Sequence, residues 1–334
     1  MKDSREYKCL KEFYDKKCSK ENIFYSFFTE GMLFWVKKML SYIPDSVNLV
    51  LIGAGLDAEE KKWVHDTDRE YVFLENHVDD TFIWNILFEI NKYNFGWIDV
   101  DCFVFDSCIL EKCTMFPDDK IFANAVWSWK SDLGLKYYNT YLIFISVSVV
   151  QEIRKVISIY PNKYIYSKDD CGDSNLSVIS DKHIHLLNGF IPIGCYPCNL
   201  LTGNRLPYFD TLTFYETIAQ KLGYRGKKIA PLRSDILQMY FSNQILHIGD
   251  ASMFSNSNRE SKFIGENYER YLEISYILLD QSVSCLPSKY MHKLEYIKNE
   301  LHDMRVSEDS VYEKSYKWLL LNGLGDKEIR SLFS

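Results

Sequence analysis

Phe95-Gly96-Trp97-Ile98-Asp99-Val100-Asp101-Cys102-Phe103-Val104-Phe105 sets two acids, one residue apart, inside an otherwise apolar run. The run reads as a strand from Trp97 to Phe105. Side chains of a strand alternate between two faces, so Asp99 and Asp101 point the same way and converge. Bare carboxylates in an apolar strand cost several kcal/mol each unless something neutralises them. The usual neutraliser of paired carboxylates is a hard divalent cation, and its usual companion is a diphosphate. The pair therefore points to a metal-bridged nucleotide site. The bland reading is two acids at a frayed strand end, held by loop amides.

Working outward, the preceding residues alternate between strand and helix patterns. Asn22–Thr29, Val47–Ile52 and Tyr71–Glu75 read as strands; Gly31–Ile43, a stretch from an Asp57 N-cap through about His65, and Asp79–Tyr93 read as helices. Strands separated by helices mean crossover units and a parallel sheet. The expected class is α/β, a mostly parallel sheet flanked by helices, with ligands at the carboxyl ends of its strands. Downstream, Ile121–Trp129, Tyr138–Val147, His183–Leu187, Phe190–Ile193 and Gln244–Ile248 read as strands, with helices over Val149–Tyr160 and Thr211–Leu222. From Asn267 onward the pattern is almost wholly helical, which makes a C-terminal helical extension. The expected organisation is an arm or helix over 1–21, a catalytic domain over 22–260 and the extension over 261–334.

Composition narrows the function. A chain of 334 residues that is 47% hydrophobic can bury a large core. A formal net charge of −7 argues against nucleic acid as a partner. The polar start Met1-Lys2-Asp3-Ser4-Arg5-Glu6 lacks the apolar segment of a signal peptide, and no uninterrupted apolar run is long enough to span a membrane. The expectation is a cytoplasmic protein, and its Tyr-, Asn- and Lys-rich usage associates with an AT-rich bacterial genome. Nine cysteines, an odd number, fit reduced thiols. Cys195-Tyr196-Pro197-Cys198 has zinc-like spacing without a second pair, and Cys171, His183 and His185 complete no standard pattern, so free structural cysteines are the better reading.

Two nucleotide readings compete. Gly53-Ala54-Gly55-Leu56-Asp57-Ala58 matches G-x-G-x-x-A between a strand and a helix, with Glu75 about 20 residues on. Against an NAD- or FAD-dependent oxidoreductase, Glu59 and Glu60 crowd the helix start where pyrophosphate would sit, each repelling it by roughly 1 kcal/mol. The segment reads better as a tight strand–helix turn. The metal reading gains a third member from Leu246-His247-Ile248-Gly249-Asp250, where a histidine ends a strand and the following glycine lets the chain approach a ligand. A neutral imidazole beside carboxylates suits Mn2+ or Mg2+, with the nitrogen favouring Mn2+. Taken alone, His247 is as readily a structural histidine.

The alternating first hundred residues, Trp97-Ile98-Asp99-Val100-Asp101 and the late His247-Ile248-Gly249 resemble a GT-A-fold glycosyltransferase with its DXD motif, in particular members that finish the metal site with a C-terminal histidine. The resemblance spans residues 22–260. It implies a metal-dependent transferase of the hexosyltransferase class, with a nucleoside-diphosphate sugar donor, usually UDP-linked, and a glycan or small-molecule acceptor. Carried over, Asp101 is the main metal ligand, Asp99 contacts donor ribose or metal, and His247 is the third ligand. Phe27 to Thr29, closing the first strand, lie near the nucleobase. The Lys-Pro-Trp that follows the histidine in glycogenin-like enzymes is replaced by Asp250-Ala251-Ser252-Met253, which leaves the subfamily and the stereochemistry open.

The remaining candidates each carry two readings. Arg259 and Lys262, downstream of His247, are candidate cations for the leaving diphosphate, or plain surface charges. Asp210 is the candidate base an inverting enzyme needs, or the N-cap of the helix after it. Trp127 and Trp129, two apart on one strand, stack an acceptor sugar or fill the core. A sugar-phosphate nucleotidyltransferase shares the carboxylate chemistry, but Phe24-Tyr25-Ser26-Phe27-Phe28-Thr29-Glu30-Gly31 lacks its Gly-rich basic signature. A non-catalytic interaction protein on the same fold is the alternative from a different class.

Overall fold

A computed structural model describes residues 1–126, 128–130, 135–165, 177–187, 208–230, 233–234, 240–249 and 268–334. In chain order the first elements are α1 (Arg5–Lys16), β1 (Ile23–Thr29), α2 (Leu33–Leu40), β2 (Leu49–Ala54), α3 (Ala58–His65), β3 (Glu70–Leu74), α4 (Asp80–Ile90) and β4 (Phe95–Ile98). Then come β5 (Cys102–Val104), α5 (Cys108–Thr114), β6 (Ile121–Ala125), β7 (Ser128–Lys130), β8 (Lys136–Tyr138), β9 (Leu142–Ile145) and α6 (Val147–Val156). The middle carries β10 (Tyr164–Ile165), β11 (Ser177–Val178), α7 (Asp181–Leu187), β12 (Tyr208–Phe209), α8 (Thr213–Lys221), β13 (Arg225–Lys228), β14 (Arg233–Ser234), β15 (Tyr240–Ser242) and β16 (Ile245–His247). Among the described residues four α-helices follow: α9 (Tyr268–Ser282), α10 (Lys289–Asp303), α11 (Glu308–Leu321) and α12 (Asp326–Leu332).

Seven strands form a mainly parallel sheet in the order β13-β6-β9-β4-β1-β2-β3, so the α/β class expected from the alternation is the class observed. β2 runs parallel to β3 and β13 to β6, whereas β6 and β9 are antiparallel. All six residues of β2 are buried, as a strand covered on both faces requires. Helix starts follow local chemistry: Ser4 Oγ accepts the Tyr7 N–H at 3.1 Å, and Asp79 Oδ1 accepts the Thr81 N–H at 2.8 Å.

The chain divides into two compact units, interleaved in sequence. The first comprises Met1–Phe24, Val78–Trp97 and Lys112–Ala230. Its core holds Trp84 stacked on Trp97, with centroids 4.8 Å apart and planes at 28°, and Phe88 edge-on to Tyr215 at 5.2 Å. Gly96 sits here in β4, where a Cβ would come within 2.4 Å of the Phe24 ring and 2.6 Å of the Phe144 ring. The second comprises Tyr25–His77, Ile98–Glu111 and Pro231–Ser334. Its core stacks Trp35 of α2 on Phe103 of β5, 6.2 Å apart at 15°. Helices α9 to α12 belong to this unit, with α9 packed between α2, α10 and α11.

Four expected strands are corrected. The strand expected over Trp97–Phe105 is two strands: β4 stops at Ile98, a turn occupies Asp99 to Asp101, and the Cys102 N–H donates to the Asp99 carbonyl at 3.0 Å. An unbroken strand would keep the backbone of both acids in one ladder; the turn ends β4 there and delivers β5 to a second sheet, ordered β14-β15-β16-β5. The Ile121–Trp129 and Tyr138–Val147 runs are likewise each divided, and β7 pairs with β8 as a separate antiparallel ribbon. His183–Leu187 lies in a helix, because His183 turns back so that its Nδ1 accepts the Ser180 N–H at 3.2 Å and caps the start of α7. Phe190–Ile193 lies outside the described residues.

Candidate functional site

Asp99 and Asp101 stand in the turn at the carboxyl end of β4. β16 runs antiparallel to β5, with Ile245 opposite Val104, Leu246 opposite Phe103 and His247 opposite Cys102. The Ile248 N–H continues that ladder by donating to the Asp101 carbonyl at 3.1 Å. Gly249, at φ +80°, then turns the chain away in the left-handed region that favours glycine. This register is what brings a late histidine to the acid pair. His247 Nε2 lies 3.3 Å from Asp101 Oδ1 and 3.7 Å from Asp99 Oδ2. The side chains of Asp101 and His247 are enclosed at 6% and 10% exposure, while that of Asp99 is 33% exposed, so the cluster opens to solvent on the Asp99 side.

The electrostatics follow from the enclosure. Burial alone would lower the His247 pKa; the facing charges of Asp101 and Asp99 outweigh it and hold the imidazole up at about 9. One ligand atom from each of the three residues lies within 4.8 Å of the others. Neighbouring ligands around an octahedral ion at about 2.1 Å stand about 3.0 Å apart, so the observed spacings suit a shared small divalent cation. Two carboxylates and one imidazole are donors that could hold a divalent metal ion.

A second acid cluster, Glu30, Asp57 and Glu60, also has ligand spacing, but a lysine already fills it. Lys289 Nζ lies 2.8 Å from Glu30 Oε1, 2.6 Å from Asp57 Oδ2 and 3.0 Å from Glu60 Oε2. The same geometry decides against the dinucleotide fingerprint at Gly53–Ala58. Asp57 Oδ1 accepts the Glu60 N–H at 2.8 Å and Glu60 reaches back to the Asp57 N–H at 3.4 Å, a capping box that takes up the amide a pyrophosphate would need. The tight strand–helix turn is the reading the structure supports. Gly55 makes the turn at φ +66°, with its N–H on the Leu74 carbonyl at 3.0 Å.

Phe27 and Thr29 are half-buried on one face at the end of β1, with Phe28 buried on the other face against Gly53. The Thr29 N–H and hydroxyl both approach Met32 Sδ at 3.5 Å. Asp210 belongs to the first unit, where its Oδ1 accepts the Thr211 N–H at 2.8 Å. It is not the N-cap of α8: that position is Leu212, fully buried and left-handed at φ +71°. Lys163 Nζ stands 3.3 Å from Asp79 and 3.8 Å from Asp80. Burial alone would lower the Lys163 pKa, and the charges of Asp80, Asp79 and Asp210 reverse that and raise it. Trp127, Arg259 and Lys262 lie outside the described residues, as do Cys171, Cys195 and Cys198. Trp129 is described by its backbone, in register with Tyr137. Sequence reasoning missed Lys289, whose only local signal is a lysine at a helix start.

Among the described residues no helix is long and apolar enough to cross a membrane. Residues 1–150, less than half the chain, match the family described as StrH glycosyltransferase N-terminal domain, which supports an enzyme of the glycosyltransferase class. Comparison with curated proteins gave no significant match. Among solved structures, the glycosyltransferase GlyE of Streptococcus pneumoniae TIGR4 aligns at 10% identity over 41% of this chain and 38% of its own, with a TM-score of 0.28. A cytidylyltransferase from Leptospira borgpetersenii serovar Hardjo-bovis aligns at 11% identity over 42% and 66%, also at 0.28. A glycosyltransferase involved in glycosylation of the major capsid of PBCV-1 aligns at 11% identity over 41% and 67%, at 0.20. TM-scores this low do not establish a shared fold.

Proposed function

We propose that this glycosyltransferase-class chain moves a sugar from a nucleoside-diphosphate donor, UDP-linked in the first instance, to an acceptor hydroxyl of a glycan or small molecule, using Mn2+ or Mg2+ held by Asp99, Asp101 and His247. One observation carries the reading: the β5–β16 register brings His247 onto an acid pair at a strand's carboxyl end. The match of residues 1–150 supports the class, and the chemistry of the donor set supports the metal. When bound, such an ion supplies Lewis-acid neutralisation of the leaving diphosphate.

The chain's own residues take the remaining tasks in this proposal. Asp101, enclosed and backed by the Ile248 N–H on its carbonyl, holds the ligand set in place, and Asp99 on the open side meets the incoming donor. Phe27 and Thr29 line the nucleobase end. Asp210 takes the acceptor proton if the reaction inverts. Arg259 and Lys262 are the candidate cations for the departing diphosphate, and Trp127 and Trp129 the candidate acceptor contacts. Residues 22–260 form the catalytic part and 261–334 the helical extension.

The test is the thermal midpoint of the parent and Asp101→Ala with UDP, GDP, NAD+ or no nucleotide, with and without Mn2+. A ligand at 100 times its dissociation constant adds about 2.7 kcal/mol, a shift easily read. The expected result is a Mn2+-dependent shift with UDP or GDP that Asp101→Ala abolishes. No nucleotide shift in the parent sinks the transferase reading.

A further inference from the structure

We infer that α10 is the positioning element for the segment that follows β1, and that Lys289 acts there through Glu60 as a positioning residue for the donor nucleotide. The inference rests on the reading of Phe27 and Thr29 as donor-side residues.

Glu60 is fully buried at the start of α3. Its Oε1 accepts the Gly31 N–H at 2.8 Å and the Tyr290 hydroxyl at 2.7 Å. Its Oε2 meets Lys289 Nζ at 3.0 Å. The Tyr290 oxygen in turn accepts the Leu33 N–H at 2.9 Å. Lys293, one turn further along α10, donates to the Gly31 carbonyl at 2.8 Å and lies 5.2 Å over the Phe34 ring. Both backbone groups of Gly31 and the amide of Leu33 are therefore held by α10, or by the buried acid that α10 neutralises. Gly31 itself is left-handed at φ +84°, so this stretch leaves β1 by a turn that needs holding.

Glu60 is fully enclosed while Lys289 is 30% exposed, so the cost of desolvating the carboxylate offsets much of their attraction and the pair is weak evidence for stability. A fully satisfied buried network instead fixes one arrangement of the groups it touches. Here those groups begin at Glu30, the residue after Thr29. The half-open face of Phe27 and Thr29 is continuous with the segment that Lys289 pins. Losing the pin lets the end of β1 move, which loosens nucleotide binding and leaves the bond-breaking step to the residues around Asp101.

The experiment compares the parent with Lys289→Met and Lys289→Arg in the full chain, reading UDP affinity with Mn2+, the KM-against-kcat split, and amide hydrogen exchange at residues 30–33. Expected for Lys289→Met is a loss of affinity of about tenfold or more, a matching rise in KM, little change in kcat, and faster exchange at Gly31 and Leu33; Lys289→Arg restores most of it. Faster exchange with unchanged affinity means the network is structural only and overturns the inference. Unchanged exchange overturns it regardless of any nucleotide result. A parent that binds no nucleotide overturns the transferase reading and the donor role of Lys289 with it, while the exchange arm separately decides whether α10 holds the segment. Should Lys289→Met fail to fold, Tyr290→Phe removes one donor to Glu60 and the acceptor of the Leu33 amide with little change in volume. It is expected to move the same readouts in the same direction, and no movement overturns the inference.

Discussion

Asp101 and His247 are joined twice: side chain to side chain at 3.3 Å, and through the ladder in which the Ile248 N–H donates to the Asp101 carbonyl at 3.1 Å. Asp99 is tied to the histidine less closely, at 3.7 Å, and is the more exposed of the two acids. The two carboxylates are therefore not equivalent. Asp101→Asn is expected to weaken Mn2+ binding by at least about tenfold, or about 1.4 kcal/mol, and Asp99→Asn by less. Titration of free Mn2+ by electron paramagnetic resonance gives the order directly, and an equal or reversed order contradicts the site as drawn.

The β2–α3 turn makes its own prediction. A Cβ on Gly55 would stand 2.7 Å from the His77 ring, and the residue sits at φ +66°. Gly55→Ala is expected to lose about 1–2 kcal/mol from the backbone alone, with the collision added. Gly55→Ala combined with His77→Ala removes the collision and keeps the backbone cost, so its urea midpoint falls between the single Gly55→Ala variant and the parent. A Gly55→Ala chain as stable as the parent would mean the turn is not left-handed in solution.

Glu216 is fully buried, with both carboxyl oxygens near the Tyr138 N–H, at 3.1 Å and 3.0 Å. Burial raises its pKa well above the usual 4.5, and the one backbone hydrogen bond does not reverse this. The folded chain therefore keeps a proton that the unfolded chain releases above that value. Stability falls as pH rises from there, by up to about 1.4 kcal/mol per pH unit until the folded group titrates. Glu216→Gln is expected to melt increasingly higher than the parent between pH 5 and 8. A constant difference across that range rules the buried proton out.

Trp84 is fully buried, stacked on Trp97 and edge-on to Phe88 at 5.9 Å. Trp84→Ala is expected to cost about 3–5 kcal/mol, read as a lower urea midpoint. Trp84→Phe keeps most of the packing and is expected to lose less than half as much.

The alternation of strands and helices through β4 was legible because each element carries its own apolar period and its own cap, Asp57 among them. The acid pair was legible too, for a reason that needed correcting. Strand alternation predicts convergence, yet the carboxylates converge because the strand breaks into a turn at Asp99. His183–Leu187 misled for the opposite reason: five residues are too few to separate strand from helix by period, and the cap at Ser180 decided it. Asp210 looked like a cap and is not one, since a left-handed leucine takes that position. Nothing local pairs Lys289 or Tyr290 with Glu60, which lies 230 residues from Tyr290.

The Lys289–Glu60 contact also bears on how such a chain can be divided. The stretch that matches a known family ends at residue 150, yet it carries a buried acid whose counter-charge arrives from α10 and an acid pair whose third member arrives from β16. Cut at residue 150, that stretch would keep Glu60 without its lysine and the acid pair without its histidine.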